Sequence, residues 1–266
     1  MNGPPLDVPP LRPSFVVTRP GPEGAWTTGR VGMLYRDLIP GGQGGRFIAS
    51  HIRIAEDGPV PDYVHFHRVR FQMIFCRRGR VRVVYEDQGP PFDLYAGDCV
   101  IQPPGIRHQV LESTGLEVVE LTCPAEHETL ADEELMLPTA TEHPARQFAG
   151  QTFVRHHGAT APWSAGPVPG FSSRDLGIGA ATGGLAAARV VRRDPGSGEG
   201  DTSRTVPPTA ELAFSYVLAG RAVLRSERHG EHGVGPDDAF VVPPGESYRL
   251  CDAADDVEVL EVTLPA

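Results

Sequence analysis

The chain has 266 residues, enough for one large or two medium domains, and carries Gly 31, Pro 27 and a formal net charge of −10. That much glycine and proline suits short strands joined by many turns, and the acidic balance argues against a nucleic-acid partner, which usually wants a basic face. No signal-peptide pattern and no apolar run of about 18 residues occurs, so the expectation is a cytoplasmic protein without a membrane partner.

The first strongly patterned segment is Arg46–Ile54. It alternates Phe47, Ala49, His51 and Arg53 with Ile48, Ser50, Ile52 and Ile54. Either set can face a core, because a one-residue slip reverses the assignment. Facing inward, His51 becomes a candidate acid–base group; facing outward, it is a rim histidine.

His65-Phe66-His67 follows, flanked by Tyr63. Histidines at i and i+2 leave one face of a strand roughly 6.6–7 Å apart, which lets both rings converge on one ion. A third histidine, His108, comes after the turn Pro103-Pro104-Gly105. A neighbouring strand could bring it to the same point. Three imidazoles make a transition-metal site with positions left open for water or substrate.

Between these motifs, Phe71–Cys76 alternates so that Gln72, Ile74 and Cys76 share a face. If that face is inward, Ile74 and Cys76, together with Tyr63, are candidate substrate-binding residues. Val81, Val83 and Tyr85 form a further half-buried strand. The strand Leu116–Thr122 offers Glu120, which as an inward carboxylate beside a metal could serve as a general base. Cys76, Cys99, Cys123 and Cys251 show no C-x-x-C spacing, and Cys76 and Cys99 read as small apolar fillers of buried strands. Ala125–Leu135, free of Gly and Pro, is predicted as a short helix before a linker near Leu137–Pro144.

The second half repeats the first. Trp26-Thr27-Thr28-Gly29 answers to Trp163-Ser164-Ala165-Gly166, and Arg36-Asp37-Leu38 answers to Arg174-Asp175-Leu176. Gly44-Gly45 matches Gly183-Gly184, Gly79 matches Gly220, and Pro103-Pro104-Gly105 matches Pro243-Pro244-Gly245. The boundaries expected are 1–137 for a first domain with the metal site and 138–266 for a second. Counting back from Gly220 puts Val206 and Pro208 at the His-x-His positions and Ala213 at that of Gln72, with Tyr248 at that of His108. The second domain is therefore expected to lack metal ligands.

These motifs resemble those of the cupin superfamily. The first cupin motif looks like a glycine, then H-x-H, three or four residues, a glutamate, six residues and a glycine. His65, His67 and Gly79 match, with Gln72 where the glutamate belongs, and the upstream Gly58 lies one residue too far away. The second motif, G-x5-P-x-G-x2-H, is met by Gly97, Pro103, Gly105 and His108. The resemblance implies an all-β chain of two tandem cupin (double-stranded β-helix, jelly-roll) barrels with a short helix and linker between them.

It also implies one divalent transition metal per chain on His65, His67 and His108, with Gln72 as a weak fourth ligand. A neutral amide leaves the ion nearly its full charge. Three neutral imidazoles resemble the ligand sets of several Fe(II) cupin oxygenases, so the resemblance favours Fe(II), while Zn, Ni, Mn and Cu are also compatible with them. The implied activity is a dioxygenase acting on a small oxygen-bearing molecule. The alternatives are a redox-silent isomerase or cyclase, and a metabolite-binding protein without turnover. A homodimer is common in the family.

Overall fold

The computed structural model describes residues 6–21, 26–197 and 202–265. Its contacts divide the chain into two compact units. The first comprises Met1–Leu11, Glu23–Asp37 and Gly44–Thr160, and the second Arg12–Pro22, Leu38–Gln43 and Ala161–Ala266. Both are almost wholly antiparallel β structure, as the turn-rich composition predicts, and the only α-helical turns among the described residues are Gly42–Gly45 and Ile178–Ala181. No helix of the described residues is long and apolar enough to cross a membrane.

The main sheet of the first unit runs, in spatial order, Val154–His156, Cys99–Ile101, Phe71–Tyr85, His108–Cys123, Ile48–Arg53, Leu34–Asp37 and Thr27–Thr28. That of the second runs Val16–Thr18, Ala239–Val241, Leu212–Ala219, Glu258–Leu264, Ala187–Arg193, Phe171–Asp175 and Ser164–Ala165. The two orders correspond strand for strand, which is the internal repeat written in hydrogen bonds. The paired tryptophans keep the same partners. The Arg53 guanidinium lies 4.6 Å over Trp26, and that of Arg192 lies 3.9 Å over Trp163.

Two expectations are corrected here. The structure places 138–160 in the first unit, because Val154–His156 pairs with Cys99–Ile101 at its sheet edge. In the same way Val16–Thr18, which precedes the first repeat, pairs with Ala239–Val241 in the second unit. Each repeat's leading strand thus closes a sheet of the other repeat, so the units are not consecutive stretches of chain. The predicted helix at Ala125–Leu135 is absent. An acidic stretch without an apolar stripe has nothing to bury as a helix. Instead Thr129–Ala131 forms a strand against His65–His67, with Thr129 opposite His67.

Gly79 lies inside the long strand Phe71–Tyr85 with φ at 75°, in the left-handed region, and a Cβ there would overlap the carbonyl oxygens of Thr114 and Gly115. Gly220, with φ at 68°, repeats this against Val257. Both glycines are needed where a strand turns sharply past its neighbour. Gly79→Ala is therefore expected to cost about 1–3 kcal/mol of stability, read from the midpoint of urea unfolding.

The interior of the first unit is packed by Ile52, Val81, Val83, Leu94, Leu116 and Val118, among others. All four cysteines are free thiols, and Cys76, Cys99 and Cys123 are buried, in keeping with a filler role.

Candidate metal centre

Two strands bring the histidines together. His65 and His67 leave the short strand His65–His67, and His108 begins the long strand His108–Cys123, paired directly with His65. Their potential ligand atoms all lie within 4.8 Å of one another. The ring centroids of His65 and His108 are 4.3 Å apart, and those of His67 and His108 are 5.3 Å apart.

The other ring nitrogens are already committed. His65 Nδ1 donates to the Tyr63 carbonyl at 2.7 Å, and His108 Nδ1 donates to the Ile106 carbonyl at 3.1 Å. His67 Nδ1 meets the Thr129 hydroxyl at 2.9 Å. A carbonyl can only accept, so the protons of His65 and His108 sit on Nδ1 and their Nε2 atoms carry the lone pairs that could ligate. Burial lowers the pKa of all three, that of His67 to about 2, and the neighbouring histidines push His67 and His108 further down. Neutral imidazole is the form a metal needs.

Gln72 is fully buried on the inward face. Its Nε2 donates to Glu120 Oε1 at 2.6 Å, while its Oε1 is a buried acceptor without a hydrogen-bond partner. An orphaned amide oxygen is costly to bury and is a suitable neutral donor to a cation. The donor set therefore fits a divalent metal of borderline softness, three imidazoles with one available amide oxygen.

Arg30 is the neighbour that sequence reasoning missed. Its Nη2 donates to His65 Nε2 at 2.8 Å, and its Nη1 pairs with the buried Asp62 carboxylate at 3.1 Å. Metal binding would require this arginine to release the His65 lone pair. Arg30 directly follows the repeated Trp26–Gly29 segment but answers to Pro167 in the second copy, so the duplication carries no signal for it. His127, whose ring lies 5.3 Å from that of His67, falls within the stretch expected as a helix and so carried no signal of its own.

These groups open into a cavity of about 280 Å³ whose walls include Ile52, Ile74, Val83, Leu116 and Val118, with Glu120 among its polar lining. Glu120 and Ile74 are cross-strand partners and both face it. Burial raises the Glu120 pKa, against the lowering effects of the Gln72 hydrogen bond and of His127 and Arg30. It is therefore a carboxyl that holds its proton to higher pH than usual.

Three sequence candidates are placed elsewhere. His51 is turned to the other face of its strand, since Ile48, Ser50, Ile52 and Ile54 are the residues that line the cavity. There it is buried between Arg36 and Glu117, with Nε2 2.9 Å from the Glu117 carboxylate, which is a structural pairing. Tyr63 is 44% exposed and off the cavity wall, contributing its carbonyl to His65 instead of its ring to a ligand. Cys76 is fully buried but does not line the cavity. Its thiol faces the carbonyls of Arg78 and Gly79, and burial pushes its pKa up to about 12.

In the second unit the register departs from residue counting. Gly105 N donates to the His67 carbonyl, and Gly245 N donates to the Val206 carbonyl. His108 pairs with His65, and Tyr248 pairs with Arg204. Arg204 and Val206, and not Val206 and Pro208, therefore stand where the His-x-His pair stands. The loop that follows this pair is longer in the second unit, Val206 to Ala213 against His67 to Gln72, which linear counting cannot detect. Ala213 does occupy the place of Gln72, since Gln102 N bonds the Gln72 carbonyl and Val242 N bonds that of Ala213. Among the described residues the His65, His67 and His108 group is the one cluster with metal-ligand geometry.

Residues 51–124 match the family model described as Cupin domain. No curated protein matches the chain. Several solved structures share its fold. Protein Ylba from E. coli superposes with a TM-score of 0.64 at 11% identity, over 95% of this chain and 91% of that one. The oxalate decarboxylase of Lactobacillus farciminis, solved as a formate complex, gives 0.62 at 13% identity over 100% and 88%. The salicylate 1,2-dioxygenase of Pseudaminobacter salicylatoxidans gives 0.63 at 15% identity over 87% and 76%. The likeness is one of fold, an all-β cupin jelly roll over nearly the whole chain, on which many chemistries are built.

Because Gln72 and Glu120 touch, Gln72→Glu would place two carboxyls within hydrogen-bond distance. They would share one proton in the metal-free protein, as close like charges resist joint ionisation. With metal the added anionic donor should raise retention against a chelator. Faster metal loss from this variant than from the parent would show that position 72 does not face the ion.

Proposed function

We propose that the protein is a metal-dependent bicupin enzyme whose first unit acts on a small oxygen-bearing organic molecule, as a dioxygenase using Fe(II). The observation that carries this reading is the neutral three-imidazole cluster, with its Nδ1 atoms tied to hydrogen-bond partners, at the wall of an apolar cavity of about 280 Å³. Fe(II) held by His65, His67 and His108 supplies the redox chemistry of dioxygen. The chain's own groups do the rest. Arg30 places a positive charge beside His65, suited to an enolate, phenolate or carboxylate oxygen. The aliphatic walls exclude water, and Glu120 holds or takes a proton at its carboxyl.

Glu120 also favours a second reading. A buried carboxyl of raised pKa beside a Lewis acid suits proton transfer, so a redox-silent metal such as Zn would make the same site an isomerase or cyclase. Elemental analysis of purified protein, with oxygen uptake measured on catechol- and diketone-like compounds, separates the readings. Iron with substrate-dependent uptake supports the dioxygenase. Zinc with conversion but no uptake moves the function to the second reading. Ligand binding without turnover makes the protein a metabolite-binding module, and absence of any bound transition metal overturns both enzymes.

A further inference from the structure

The second unit keeps a cavity in the place of the first unit's, larger at about 650 Å³, and its lining is differently charged. Arg204 stands at the position of His65, Tyr248 at that of His108, and Ala213 at that of Gln72. The cross-strand pairs extend the correspondence. Glu120 pairs with Ser50 and Ile74, and Glu261 pairs with Arg189 and Ser215, so Glu261 answers to Glu120 and Arg189 to Ser50. The duplication has thus exchanged a neutral metal-ligating group for a guanidinium carrying its own charge.

That charge is incompletely matched. The Arg204 side chain is 9% exposed and that of Glu261 8%, and they form an ion pair through Arg204 Nη1. Arg189 Nε donates to the other Glu261 oxygen at 2.9 Å. Two guanidiniums therefore meet one buried carboxylate, the half-exposed Arg189 and the buried Arg204, and the remaining acid on the wall, Asp175, is exposed to solvent. Arg204 Nε and Nη2 are buried with no hydrogen-bond acceptor in regular geometry, and the Tyr248 hydroxyl is close enough to interact with the guanidinium. Nε–H and Nη2–H point the same way along one edge of the guanidinium, the edge that receives the two oxygens of a carboxylate. Leaving such charged donors unmatched is expensive, and a bound anion removes the cost.

We propose that the cavity of the second unit is a metal-free binding site for a small organic monocarboxylate, seated on the Nε–Nη2 edge of Arg204. One free fork edge, on a buried guanidinium whose single counter-charge is shared with Arg189, suits a monoanion. A phosphate dianion would bring excess charge towards Glu261. Tyr248 O–H is placed to donate to the same carboxylate, and the hydroxyls of Ser173, Ser215 and Thr263 on the wall offer hydrogen bonds to the rest of the molecule. The tandem architecture then has two sites of different chemistry, one built for a metal and one for an anion.

The test is calorimetric titration of the full-length protein with benzoate, its neutral isostere benzamide, and inorganic phosphate. A benzoate-binding event is expected that survives Arg30→Met, which alters the first cavity. Arg204→Met should weaken it by at least about tenfold, from the loss of charge-assisted hydrogen bonds. Arg204→Lys keeps the charge and the pairing with Glu261 but loses the fork, so it too should bind more weakly. Benzamide and phosphate should bind poorly. Equal benzoate binding by the parent and a folded Arg204 variant, loss of the event with Arg30→Met alone, or benzamide binding as well as benzoate would overturn the proposal. A crystal of the parent protein soaked in benzoate gives a readout that needs no variant. Density on Arg204 supports the site, and density only in the first cavity, or none, refutes it.

Discussion

Replacing His65, His67 or His108 with alanine is expected to lower metal affinity by about 100-fold or more, whereas Gln72→Ala should lower it by about tenfold or less. Each histidine substitution leaves two imidazoles and opens a gap in a buried cluster whose members touch. Removing the amide leaves the triad intact. The check is elemental analysis after dialysis against a chelator, with unfolding midpoints to confirm that each variant is folded. A folded triple-alanine variant that still retained one metal per chain would place the site elsewhere.

Glu120→Gln is expected to lower turnover by about 10²–10⁴-fold, the range of a lost acid–base group, while leaving metal content unchanged. Gln72 Nε2 can still donate to an amide oxygen at position 120, so the local packing is kept. The variant also makes a stability prediction of definite sign. Burial raises the folded-state pKa of Glu120 above its unfolded value. The stability linked to its protonated form is complete below the ordinary carboxylate pKa and is lost as pH rises through the folded value. The substituted amide does not titrate, so the variant should gain on the parent as pH rises through that window. A variant with parental turnover, or one that loses stability relative to the parent as pH rises, would remove Glu120 from the acid–base role.

The two units also differ in what a substitution can restore. His65 and Arg204 occupy equivalent strand positions, yet Val206 and Ala213 face the second cavity where His67 and Gln72 serve the first. Arg204→His alone therefore should not create a metal site. It would supply one imidazole beside a tyrosine and a valine, short of the three strong donors that hold an ion.

Much of this molecule is legible in one dimension because its signals are local. H-x-H on a strand places two rings on one face by the pleat alone, and the turn Pro103-Pro104-Gly105 sets where the strand carrying His108 begins. The ordered repeats from Trp26 and Trp163 onward foretell two units with matching strand orders. Alternation along Phe71–Cys76 puts Gln72 and Ile74 on one face, and pairing with the following long strand brings Glu120 to Ile74.

What tertiary structure alone decides are pairings between segments far apart in sequence. No local pattern says that Val16–Thr18 closes a sheet of the second unit or that Val154–His156 closes one of the first, because an edge strand's partner is chosen by long-range hydrogen bonding. Nor does alternation choose between the two faces of Ile48–Arg53, and the choice sends His51 to Glu117 and Ser50 to the cavity. Arg30 reaches His65 across 35 residues of chain, and residue counting misses that Arg204 takes the place of His65 because the stretch that follows, from Val206 to Ala213, is longer than that from His67 to Gln72. Local periodicity determined which residues could share a face; the cross-strand register determined which of them meet.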